Sequence, residues 1–302
     1  MHYDYSPIAA RGPLRFPNDA KVALILTFNL ETWELTKDTE EAYYAGGPAI
    51  LPDVLAGNVP DYPNYTWREY GQRVGIWRLF ELFDQLGVQA SCTINALTFE
   101  RRNAMAQACL DRGWELLAHN FEQGELLTDF SGNPEKERDI ISRAIEMYTK
   151  YVGRKPLGWL SSSLRGTLAT AEILRENGFL FYCDIMNDDQ PYLIDTAAGS
   201  IVSVPYSNEI NDFTIITRRG HTTSEYRDIL IEELDVLYEE GASSGRIMNV
   251  GIHPHVSGRA YRIRALREFI QHAKSLPGVW WPTREELAKW YLDNNQGHIP
   301  TS

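Results

Sequence analysis

The run LLAHNFEQGELL (116–127) ends an apolar stretch in His119 and places Gln123 four positions later. Two histidines at that spacing would suggest a metal site. Glutamine supplies only a neutral amide oxygen, which suits hard cations better than zinc. Other polar residues also sit just past apolar runs: Asn29 and Glu31, Asn95, His119 and Asn120, Ser161 to Ser163, Asp184 with Asn187 and Asp188, Ser207 and Glu209, and His253 with His255. Each has a plain structural use. Glu31 could be a solvated loop carboxylate and His119 a core histidine bonded to a carbonyl. His253 and His255 flank Pro254, which points to a rigid turn. No GxSxG surrounds the serines, so they read as a polar turn rather than a nucleophile. The Asn187-Asp188-Asp189 stretch also reads as a turn.

The elements that must carry these residues alternate along the chain. Strands are expected at 22–28, 88–94, 114–118, 157–160, 181–184, 201–206, 248–252 and 279–281. They are short, apolar on both faces and rich in Val and Ile, as buried parallel strands are. Helices are expected at 69–86, 100–112, 134–151, 166–177, 223–240, 260–275 and 284–293. Asn133-Pro134 can cap and open one helix. Thr283 with Glu286 forms a capping box for the last. Gly87, Gly113, Gly153, Gly178 and Gly241 each follow a helix, where a left-handed residue is wanted. This alternation implies an α/β fold, either an open doubly wound sheet or a closed barrel. GxGxxG and GxxxxGK[ST] are absent, and unit count and length favour the barrel. In such a barrel the polar residues named above converge on one rim. Residues 34–68 form a long Pro/Gly/Tyr-rich segment after the first strand, expected to be a functional loop or lid. No linker is evident, so 1–302 is expected to be one domain.

Bulk properties narrow the partners. The chain has 302 residues, 43% hydrophobic, with a net charge of −12 and a pI near 5.1. That balance argues against a nucleic-acid stripe or a polybasic membrane patch. No apolar stretch approaches the roughly 20 residues of a membrane span. The three cysteines, Cys92, Cys109 and Cys183, form no CxxC, and reduced thiols are expected. The first residues lack an apolar h-region, so no signal peptide and a cytoplasmic location are expected. His2, His221, His272 and His298 read as surface residues, and Cys92 and Cys183 as core residues.

Read in order, TFNLE (27–31), REYGQRVG (68–75), AHNFEQ (118–123), GRKPLGW (153–159) and GIHPHVSGR (251–259) resemble the polysaccharide deacetylase superfamily. The closer resemblance is to its allantoinase-like branch of cyclic-imide-hydrolysing amidohydrolases. It covers about residues 15 to 292. It implies a distorted (β/α)7 TIM-like barrel that hydrolyses an amide or imide C–N bond. In that resemblance Glu31 stands at the first-motif carboxylate, with Asn29 replacing an acidic residue. His119 matches the first His of HxxxH, Gln123 replaces the second, and His253 matches the late histidine that assists the leaving group. The arginine motif expected after the fourth strand is missing; Trp159-Leu160-Ser161-Ser162-Ser163 stands there, which argues against a sugar substrate.

Glu31, His119 and Gln123 would be the ligands of a divalent metal such as zinc if one is present, but this is a weak set for zinc. Metal-free catalysis is therefore expected, as the resemblance to the allantoinase-like branch also implies. The expected chemistry is opening of a small cyclic amide: an imide, a hydantoin or an allantoin-like ureide. Glu31 would activate water, and His119 with Asn29 or Gln123 would hold the water or the oxyanion. His253 would protonate the departing nitrogen. Asn29, Gln123, Trp159, Asn187 and Tyr70 are expected to bind the substrate. The alternatives are a metal-dependent N-deacetylase and a non-catalytic small-ligand-binding barrel. Trp33, Tyr43, Tyr44, Tyr65 and Trp67 suggest a pocket for flat rings, or else loop anchoring or a subunit contact. A homo-oligomer acting on a small molecule, with no nucleic-acid or membrane partner, is expected.

Overall fold

Strand β1 (Val22–Leu30) explains the architecture by its alternation. In the computed structural model, which describes residues 3–35, 50–51 and 60–300, every residue of β1 is buried. Val22, Leu24, Leu26, Phe28 and Leu30 pack into the layer beneath the helices. Ala23 and Ile25 pack into a second, inner cluster. Side chains along a strand alternate faces, so Thr27, Asn29 and Glu31 continue the inner row.

After β1 the elements run α1 (Tyr62–Tyr70), α2 (Ile76–Leu86), β2 (Ser91–Ile94), α3 (Ala96–Arg101), α4 (Asn103–Asp111), β3 (Glu115–Ala118), α5 (Pro134–Val152), β4 (Gly158–Trp159), α6 (Thr170–Glu176), β5 (Phe181–Tyr182), β6 (Tyr192–Thr196), β7 (Gly199–Ser203), α7 (Thr223–Glu240), β8 (Arg246–Ile252), α8 (Ile263–Ser275), β9 (Val279–Trp280) and α9 (Arg284–Asn294). The sheet order is β6-β7-β5-β4-β3-β2-β1-β8, with β9 paired to the start of β1. All of these pairings are parallel except the β6–β7 hairpin. The sheet curls into the distorted (β/α)7 barrel expected from the sequence. Its inner cluster draws Leu117, Phe181, Val202 and Ile247 from strands right around the curl. Between β8 and the chain before β6, Ile247 N donates to Asp189 O at 2.7 Å, and Gln190 Nε2 donates to Gly245 O at 2.9 Å.

Several expectations need correction. The helix expected from 69 begins at Tyr62, capped by Asp61, whose side chain accepts from Asn64 N. Tyr65 and Trp67 therefore lie on α1 rather than in a loop, while Tyr43 and Tyr44 fall outside the described residues. A π-helical turn at Gly71–Gly75 joins α1 to α2. The expected helix 100–112 starts at Ala96 and breaks at Arg102, whose φ of −140° is not helical. Strand β6 was not expected, because it follows an Asn/Asp/Pro cluster that reads as a loop. Gly87, Gly113, Gly153 and Gly178 take positive φ, but Gly241 does not. Gly241 is needed for closeness instead: an added Cβ would strike the Lys21 carbonyl. Nor is His298 on the surface. It is buried, bonded to the Tyr291 hydroxyl at 2.9 Å and to Gln190 Oε1 at 3.1 Å.

Candidate active site

The inner rows of three strands end in the same cavity. Asn29 is the last inner residue of β1 and Glu31 follows that strand directly. His119 is the first residue after β3, and His253 the first after β8. All four line a cavity of about 100 Å³, with Gln123, Ser161, Ser163, Tyr206, Asn208, Asn211, Phe213 and Arg218. Short hydrogen bonds stitch the strand ends together. Asn95 Oδ1 accepts from Thr32 N at 2.9 Å, and Asn95 Nδ2 donates to the His119 carbonyl. Gln123 N donates to Thr32 O at 3.1 Å, and Gln72 Nε2 to Glu31 O at 2.8 Å. Asn120 bears the tight exit from β3 with φ of 52°, a conformation asparagine tolerates better than most residues.

Glu31 lies between the two imidazoles. Its Oε1 is 3.9 Å from His119 Nε2 and 3.8 Å from His253 Nε2. Glu31 Oε2, His119 Nε2 and Gln123 Oε1 are buried with no protein hydrogen-bond partner, so the cavity holds groups ready for a ligand or water. His119 Nδ1 lies 2.5 Å from Leu160 O. A carbonyl can only accept, so Nδ1 carries a proton. In the neutral ring Nε2 then presents its lone pair toward Glu31.

His253 is held differently. Its Nδ1 lies 2.7 Å from Asp212 Oδ1, while its backbone N–H donates to Asp212 Oδ2 at 2.8 Å. Ser257 donates from both N and Oγ to the same oxygen, at 3.2 and 2.6 Å. Burial pushes the His253 imidazole toward neutrality, but the carboxylates of Asp212 and Glu31 outweigh it and raise the pKa above the ordinary 6.5. Asp212 was missed in the sequence; it lies in NDF (211–213), well past the strand end, where no periodic pattern marks it. His255, two residues on, is set off from this chemistry. Burial and the neighbouring His253 hold it well below 6.5, and its ring packs edge-on against Trp33 and Trp67.

A metal ion fits this set poorly. Zinc sites usually take three or four ligands from imidazole, thiolate and carboxylate. Glu31 and His119 supply two, and Gln123 adds only a neutral amide oxygen. Among the described residues no group of three His, Cys, Asp or Glu is placed to hold an ion. His253, whose carboxylate neighbours favour the proton, is a poor third ligand, since ligating imidazole must be neutral.

Three expected pocket residues lie elsewhere. Trp159 is fully buried on the outer face of β4, packed edge-on to Phe179, with Nε1 donating to Ser161 Oγ at 2.9 Å. Asn187 is exposed, and its Oδ1 accepts from the Tyr192 hydroxyl at 2.8 Å. Tyr70 accepts from Arg78 Nη1 at 3.0 Å and lies under the Arg259 guanidinium, 3.6 Å from its ring centre. A place just after a strand does not fix which way a side chain faces, and Trp159 falls on the outward parity of its strand.

No family model matches the chain. It is 27% identical over 303 residues to a putative polysaccharide deacetylase of Schizosaccharomyces pombe, covering 91% of each chain. The crystal structure of a probable polysaccharide deacetylase from Pseudomonas aeruginosa PAO1 superposes with a TM-score of 0.81 at 27% identity, covering 93% of this chain and 94% of that one. Puue allantoinase superposes at 0.82 with 26% identity, over 97% and 98%. In sequence and fold, over nearly the whole length of these proteins, the chain is similar to polysaccharide deacetylases and to an allantoinase.

Proposed function

We propose that the protein hydrolyses the C–N bond of a small cyclic amide without a metal ion. The observation that carries this is Glu31 set between two imidazoles, with His253 Nδ1 held 2.7 Å from Asp212 Oδ1. Water bound at Glu31 and His119 Nε2 would lose a proton to the Glu31 carboxylate and attack a ring carbonyl. His253 Nε2 would give its proton to the departing nitrogen. A cyclic imide suits this apparatus, because its second carbonyl stabilises the leaving anion. A positioned base or acid typically contributes about 10²–10⁴-fold. The cavity of about 100 Å³ among the described residues also favours a small ring over a polymer chain. Likeness to an allantoinase structure agrees with a ring substrate.

A second reading, metal-dependent deacetylation, is favoured by the names of relatives such as the S. pombe protein. A hydrolysis screen over succinimide, hydantoin, allantoin and N-acetylglucosamine, with and without chelator, separates the two. The ring-opening reading expects chelator-resistant turnover of a ring amide. Chelator-sensitive release of acetate would replace it with the second. Glu31→Gln and His253→Ala are each expected to lower kcat by about 10²–10⁴-fold. Near-wild-type turnover by either variant would remove that residue from its role.

A further inference from the structure

Tyr206 faces the same cavity as Glu31, His119 and His253. Its hydroxyl oxygen accepts from Asn29 Nδ2 at 3.3 Å and from Asn211 Nδ2 at 2.9 Å. Both amides are fixed in orientation. Asn29 Oδ1 accepts from Thr93 Oγ1 at 3.0 Å, and its Nδ2 also reaches Ile252 O at 3.4 Å. Asn211 Oδ1 accepts the backbone N–H of Phe213 at 2.9 Å and of Thr214 at 3.4 Å. Flipping Asn211 would set its Nδ2 against two backbone N–H donors, and flipping Asn29 would set its Oδ1 against the Ile252 carbonyl. The Tyr206 oxygen thus takes two N–H groups and keeps its own proton to give. Among the described residues no acceptor takes that proton. Gly251 on the neighbouring strand keeps the space open, since an added Cβ would strike the Tyr206 hydroxyl and the Asn211 amide.

The other expected oxyanion donors are at least partly engaged or turned away. Asn29 spends its N–H groups on Tyr206 and Ile252 O. His119 presents a lone pair at Nε2 when neutral, because Nδ1 faces the Leu160 carbonyl. Gln123 Nε2 reaches Ser163 Oγ at 3.4 Å. We infer that Tyr206 is a catalytic residue whose O–H hydrogen-bonds the substrate carbonyl oxygen as negative charge develops there; this rests on the ring-opening reading above. In that step water's oxygen bonds to the carbonyl carbon while its proton passes to Glu31. The π pair moves onto the carbonyl oxygen, against the Tyr206 O–H, which keeps its proton. Collapse restores C=O, breaks C–N, and takes a proton from His253 Nε2 to the nitrogen. Asn29 and Asn211 are positioning residues that aim the phenol.

The test compares wild type with Tyr206→Phe on succinimide, hydantoin and allantoin, and on the monothio analogue of the ring that reacts best. Removing one such donor is expected to lower kcat about 10²–10³-fold while KM moves less than about threefold. Sulfur accepts hydrogen bonds weakly, so wild type should prefer the oxygen substrate, and the preference should shrink in the Phe variant. An unchanged kcat, or a lower kcat with the oxygen preference intact, overturns the inference. If Tyr206→Phe fails to fold, 3,5-difluorotyrosine at 206 keeps the shape with a more acidic phenol. As a stronger donor it should widen the preference for the oxygen substrate over its thio analogue, and an unchanged preference overturns the inference. Loss of activity in Glu31→Gln without loss in Tyr206→Phe sinks this role alone. A wild type that opens none of the three rings sinks the ring-opening reading and this role with it.

Discussion

At the scale of single residues, one buried carboxylate decides which proton His253 can give. Asp212 is fully buried and bonds the imidazole, the backbone of His253 and both donors of Ser257. Together with Glu31 it raises the His253 pKa above 6.5 against the effect of burial. A general acid works below its pKa, so the alkaline limb of the rate profile should lie above that of free imidazole. Asp212→Asn removes the larger of the two raising charges, and the limb is expected to move to lower pH in a kcat/KM–pH series. The same pair has a signature in stability. Because the folded pKa is raised, the stabilisation is fully present below about pH 6.5, the unfolded value, and is lost as pH rises through the folded value. Asp212→Asn should therefore destabilise the fold most on the acid side of that window, as denaturant melts at pH 6 and pH 9 would read.

At the scale of elements, the loop carrying His253 is positioned by backbone contact as well as by the Asp212 side chain. Gly71 and Gly75 open and close the π-helical turn between α1 and α2. An added Cβ at Gly75 would strike the Pro254 carbonyl, and one at Gly71 would press on the His255 backbone. π-turns recur at functional sites, and here the turn sets the helix directly against the proton donor's loop. Gly75→Ala should cost about 1–3 kcal/mol by overpacking and lower kcat as the loop shifts, both measurable on one preparation. Part of this was legible. GQRVG stands within the REYGQRVG stretch, but an amphipathic helix starting at 69 gives no hint of a π-turn. The period-2 alternation of β1, by contrast, carries Glu31 onto the inner row without further help.

At the scale of the whole molecule, the barrel end opposite the site is closed by a buried polar cluster. Arg284, at the start of α9, is fully buried. Its guanidinium donates to Ser91 Oγ at 3.0 Å, Thr27 Oγ1 at 2.7 Å and Asn249 Oδ1 at 2.5 Å. Glu115 accepts from the backbone N–H groups of Arg284 and Glu285, at 2.9 and 2.8 Å, where the helix N-terminus favours negative charge. Arg284→Leu would strand these polar groups and leave the Glu115 charge less compensated. A loss of about 3–5 kcal/mol is expected, with KM for the ring substrate little changed in whatever fraction stays folded. Chemical denaturation and steady-state kinetics on the same variant check both parts.

What the sequence determined by itself was the periodic part. The alternation of short apolar strands and helices gives the barrel, and Glu31, His119 and His253 stand at or just past strand ends where a barrel gathers its rim. Helix signals with local causes were equally legible, such as the Thr283–Glu286 capping box. The tertiary structure alone decided facing and partnership. Trp159 follows the same strand-end logic yet points into the outer core. Asp212 and Asn211 come from an aperiodic stretch and Tyr206 ends the strand expected at 201–206, which stops at Ser203; all three matter only because folding brings them to His253 and Asn29. Local pattern encodes an element and its apolar face; hydrogen bonds between residues far apart in the chain arise only when the barrel curls and brings their strands side by side.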